Sequence, residues 1–135
     1  MREPGRLRDD RGSAVAEFAL ISVLLVFLLF AVLQVAAVFY VRSVAAAAAS
    51  DGARYGAAAG VDPALGGQRA SDLIARGLGG DLAGQLPCQG LQVTDPDSAL
   101  DTSQVRCAGQ IRSLLLPIGA FVDIRVTGRS LKEPP

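Results

Sequence analysis

Residues 18–41 read FALISVLLVFLLFAVLQVAAVFYV, and this run decides the architecture. Its only polar interruptions are Ser22, Gln34 and Tyr40. At about 1.5 Å of rise per residue it covers roughly 36 Å as a helix, enough to cross a hydrocarbon core of about 30 Å with some tilt. A secretory signal peptide is the rival reading, because Ala45 to Ala49 offer A-x-A cleavage sites. Its apolar core, however, is about 7–15 residues long, clearly shorter than this one. The run therefore reads as a membrane anchor, with the bilayer as its first partner.

Upstream, Gly12-Ser13-Ala14-Val15-Ala16-Glu17-Phe18 opens directly into the span. A carboxylate driven to the centre of a bilayer costs roughly 2.5 kcal/mol or more, so Glu17 at the lip asks for a purpose. The plain alternative is a carboxylate at the helix start, lying among headgroups and favoured by the positive end of the helix dipole. Residues 1–12 form a short charged leader with four Arg (2, 6, 8 and 11) and three acids (Glu3, Asp9 and Asp10). Loss of that leader turns a neutral chain into one with a single net negative charge. Arg42 and Arg54 follow the span, so the positive-inside rule votes only weakly for a cytoplasmic N-terminus.

No element breaks the helical pattern before Gly60, Val61, Asp62 and Pro63 supply a stop. The expected helix covers residues 13–60, about 70 Å, half in lipid and half projecting beyond it. Gly52, Gly56 and Gly60 fall four apart, Ala48 extends the series, and Ala45 and Ala49 flank it on the same face. Such stripes let backbones approach closely. This one would pack against a neighbouring helix or the chain's own head, unless it simply reflects an Ala/Gly-rich composition.

Residues 61–131 then read as a small α+β head, and 132–135 as a tail. Ala70, Leu73, Ile74 and Leu78 set a short amphipathic helix over 68–78, ended by Gly79-Gly80. Residues 90–94, 104–108 and 120–127 read as three antiparallel strands, the last with apolar Val122, Ile124 and Val126 alternating against Asp123, Arg125 and Thr127. Residues 95–98 form a loop, and 114–117 are ambiguous between a strand end and a core plug. Cys88 and Cys107 are the only cysteines. In an oxidising compartment they would close a loop of about 20 residues, worth roughly 3 kcal/mol; otherwise they are two buried thiols.

Zero net charge gives no sign of a nucleic-acid partner. The chain has no His, no paired-carboxylate constellation and no Ser or Cys motif with a recognisable base, so neither an enzyme nor a cofactor or metal site is expected. Asp95 and Asp97 are better read as turn residues.

Two stretches carry a family resemblance: residues 11–20, RGSAVAEFAL, and Phe39-Tyr40-Val41-Arg42 followed by residues 49–57, ASDGARYGA. Together they resemble the TadE-like proteins, minor pilins or pseudopilins of the tight-adherence (Flp) type IV pilus system. The resemblance implies cleavage between Gly12 and Ser13 by a membrane prepilin peptidase. Glu17, followed by Phe18, would then meet the new amine of a neighbouring pilin-like subunit, and the helix would engage the assembly platform. It further implies a single-pass protein of the cytoplasmic (inner) membrane with its head outside, the pilus or cell surface being a further destination. The alternative is an uncleaved single-pass protein that acts as an assembly factor or binds an envelope partner.

Overall fold

The computed structural model describes residues 10–96, 99–112 and 121–134, the first three through their backbone alone. The expected leader lies mostly outside the described residues, as do positions 97 and 98 of the 95–98 loop and the ambiguous stretch at 114–117. Helix α1 runs from Asp10 to Ala57, so its backbone is already helical three residues before Ser13. It stops where Gly60 turns the chain at a φ of +74°, a left-handed value that suits a residue without Cβ.

Helix α2 (Pro63–Leu78) begins five residues earlier than the amphipathic pattern suggests. Asp62 caps it, its carboxylate accepting from the Ala64 amide at 2.9 Å, and Pro63 occupies the first turn, where its missing N–H costs nothing. The sequence Asp62-Pro63 therefore ends one helix and starts the next. A one-turn helix α3 (Gly80–Gly84) follows.

The sheet is a three-stranded antiparallel meander of β1 (Cys88–Thr94), β2 (Asp101–Arg112) and β3 (Phe121–Leu131), in the order β1-β2-β3. The α+β architecture expected from the sequence is the one observed. All three strands outrun the apolar patterns that announced them, because ladder pairing carries them onward through Arg112 opposite Phe121 and Thr102 opposite Leu131. Ser103, Val105, Cys107 and Ile111 of β2, with Ile124 and Val126 of β3, turn one face of the sheet inward. Arg106, Arg112, Asp123, Arg125 and Arg129 stand on the other face, as a half-solvated antiparallel sheet requires.

The core lies between that inner face and the outer half of α1, with α2 beside it. Val41, Ala45, Ala48, Ala49 and Ala53 of α1 join Ala70 and Ile74 of α2 and the inward strand residues in one buried cluster. Strand β3 runs along α1 in the same direction. Val122 lies near Val38, and the Glu133 amide donates to the Ala57 carbonyl at 2.9 Å. The residues read as a tail therefore begin with two anchored positions, for Lys132 Nζ also donates to the Val61 carbonyl at 2.9 Å. The head is strapped along the helix.

The N-terminal helix as candidate functional site

Helix α1 has two halves with opposite surroundings. From residue 13 to residue 33 nothing among the described residues covers it, and Val15, Phe18, Leu20, Leu24, Phe27 and Leu29 are all exposed. From Gln34 onward one face carries the head. The helix's most apolar 18-residue stretch is not buried anywhere in the chain, and the helix is long and apolar enough to cross a membrane.

At the start of the bare half the Ser13 hydroxyl donates to Glu17 Oε1 across 3.4 Å. The contact shows that positions 13 and 17 share a face, as a spacing of four dictates. The two side chains stand on that face about one helical turn, roughly 6 Å, apart along the axis. Phe18 projects outward beside them, and its carbonyl accepts from the Ser22 hydroxyl at 2.8 Å. That bond returns a polar side chain to its own backbone, which makes Ser22 tolerable in hydrocarbon. Gly12 lies within the helix backbone.

The small-residue stripe behaves as a packing face for the chain's own head. Ala45, Ala48 and Ala49 are buried, as are Gly52 and Gly56. A β-carbon on Gly52 would collide with the Gly66 carbonyl oxygen, and one on Gly56 would stand 2.7 Å from Ser103 Oγ. Ala49 supplies the same closeness to the sheet, its backbone lying where any side chain on Gly128 would go. Gly60 takes no part: it lies beyond the helix end, exposed, with nothing near. Sequence reading missed the partners Gly66 and Gly128. The Gly66-Gly67 pair was the available signal, since two glycines in a helix are costly unless a backbone must come close.

Between the small residues the stripe's neighbours face outward. Arg54 and Tyr55 are exposed, and Asp51 meets Arg69 of α2 at 3.1 Å in a pair open to solvent. Cys88 and Cys107 stand opposite each other in the β1–β2 register and are joined as a disulfide, 19 residues apart. Among the described residues no group of three or more His, Cys, Asp or Glu gathers as a metal site would need.

No curated protein and no solved structure matches the chain. The family model described as TadE-like protein matches residues 12–54. That segment begins at Gly12, includes Glu17 and the whole bare half of α1, and ends within the glycine stripe. Over that segment, about a third of the chain, the helix is similar to TadE-like proteins.

Proposed function

We propose that the chain is a minor pilin-like subunit of a tight-adherence (Flp) type IV pilus system. In this reading it is inserted with its N-terminus in the cytoplasm, cut between Gly12 and Ser13 by a prepilin peptidase, and assembled through α1. Its role is structural, without catalysis or cofactor. The observation that carries the reading is the bare half of α1 inside the family-matched segment. Each large apolar side chain left in water forgoes about 1.5–3 kcal/mol, so that surface calls for lipid and then for neighbouring helices. Glu17 supplies a polar address on it, and pairing with a neighbour's Ser13 amine offsets the desolvation of both groups.

N-terminal sequencing of the protein recovered from its membrane tests processing. A start at Ser13 is expected, and an intact Met1 overturns that step. In Glu17→Ala, cleavage should persist while incorporation into the assembly falls by about tenfold or more, as loss of a buried charge partner implies. Unchanged incorporation removes the role assigned to Glu17.

One observation favours a second reading, an uncleaved single-pass assembly factor or envelope-binding module. The helix runs unbroken through Gly12-Ser13. A peptidase needs that first turn opened before it can reach the bond, and a partner that bound the intact helix would not.

A further inference from the structure

The bare length of α1 sets the height of the head. Residues 13–33 span about 31 Å, the thickness of a hydrocarbon core. Immediately beyond them, Gln34, Val38 and Val41 line a narrow crevice with Ile111, Arg112 and Val122 at one end of the sheet. A placement that moves Glu17 out of the hydrocarbon shifts the span outward and takes this end of the head deeper still. The head has no stalk between itself and the membrane.

The chemistry at that level fits a lipid–water boundary. Phe39 and Tyr40 are exposed on α1, followed by exposed Arg42. On the outer face of the sheet Phe121 is 58% exposed, paired with Arg112, whose guanidinium carbon lies 6.0 Å from the ring centroid. Tyr and Trp rings concentrate where hydrocarbon gives way to headgroups, Phe rings bury at the acyl boundary just beneath, and arginine stems lie along apolar surface while the guanidinium reaches out to phosphate. The opposite end of the sheet differs: Lys132 is committed to the carbonyls at the end of α1, and Glu133 stands exposed.

We propose that the Arg112–Phe121 end of the sheet is a membrane-contact surface, seated in the phospholipid headgroup layer beside Tyr40 and Arg42 of α1. The inference rests on the reading that residues 13–33 lie in the bilayer. It adds that the head is oriented by lipid as well as by its helix.

The chain contains no Trp, so variants with a single indole report depth without background. Full-length Phe121→Trp, Leu131→Trp and Leu24→Trp would be reconstituted in phosphatidylcholine–phosphatidylglycerol bilayers, with and without acyl-brominated lipid. All three positions are exposed, so the fold should accept the indole. Fluorescence of Phe121→Trp should be quenched roughly twofold or more by brominated lipid and that of Leu131→Trp hardly at all, because depth separates the two positions. Equal, weak quenching in these two variants with strong quenching in Leu24→Trp overturns this proposal and leaves the anchor intact. Absence of quenching in Leu24→Trp overturns the anchor itself. Shielding of the indole in Phe121→Trp from aqueous iodide without quenching by brominated lipid means that protein covers this end, and also overturns the proposal.

Discussion

Gly52 of α1 and Gly66 of α2 interlock: a β-carbon on either would drive into the other's carbonyl oxygen, at 2.5 Å when placed on Gly66. The two backbones meet with no side chain between them. This crossing brings α2 close enough to bury Ala70 and Ile74 against α1, and it brings Val105 of the sheet within reach of the same spot. The head depends on this contact because it has few large side chains with which to fill a wider gap.

Substitution at the crossing should therefore cost far more than substitution at an open glycine. Gly52→Ala is expected to destabilise the head by about 1–3 kcal/mol, the range for overpacking a tight core. Gly84→Ala, in open space within α3, should leave stability unchanged or raise it by about 0.5–1 kcal/mol. Denaturant titration of both proteins in detergent, followed by circular dichroism, checks the contrast. Equal effects would mean that the crossing tolerates separation.

Reduction should loosen the head selectively. The Cys88–Cys107 bond closes a loop with a separation of 19 residues, and its loss is expected to cost about 3 kcal/mol. Paired Cys88→Ser and Cys107→Ser substitutions should lower the denaturation midpoint of the sheet while leaving the α1 helical signal in place.

Ser103 presents the reverse case. Its hydroxyl is buried against Gly56, and Ser103 Oγ has no hydrogen-bond partner among the described residues. A buried polar group without a partner costs about 1–3 kcal/mol, so Ser103→Ala should be neutral or stabilising. A clear loss of stability on thermal melting would refute this account of the site.

Lys132 pins the far end of the assembly. Its ammonium donates to the Val61 carbonyl at 2.9 Å and reaches the Gly56 carbonyl at 3.5 Å, meeting a backbone acceptor left open where α1 ends. Lys132→Met should cost about 1–2 kcal/mol and raise amide exchange near residues 57–61. Lys132→Arg should recover part of the loss, which a role in packing alone would not require.

Much of this is legible along the chain. An apolar run of membrane length, a stop at Gly60 to Pro63 and alternation in β3 are local signals, written in consecutive residues. The start of α2 is not, because Gly66 and Gly67 depress helix propensity and hide the pattern. The chain gives up that propensity to let Gly66 reach α1 and Gly67 reach Gly90 of β1. The strands read short for a related reason: Gly109 and Gly128 interrupt or fall outside the apolar patterns, yet each marks where backbone from another element passes close to the sheet.

The sequence by itself determined that a long helix starts near Ser13, with Glu17 in its first turns, and that its first half is long and apolar enough to cross a membrane. Hydrophobicity, helix period and charge act over neighbouring residues, so they can be read along the chain. Only the tertiary structure decided that the small-residue stripe faces the chain's own head, that Gly60 is a turn and not part of that face, and that the head begins at Gln34. Those outcomes depend on backbones separated by tens of residues approaching within van der Waals distance. A glycine's spacing announces that possibility without naming its partner.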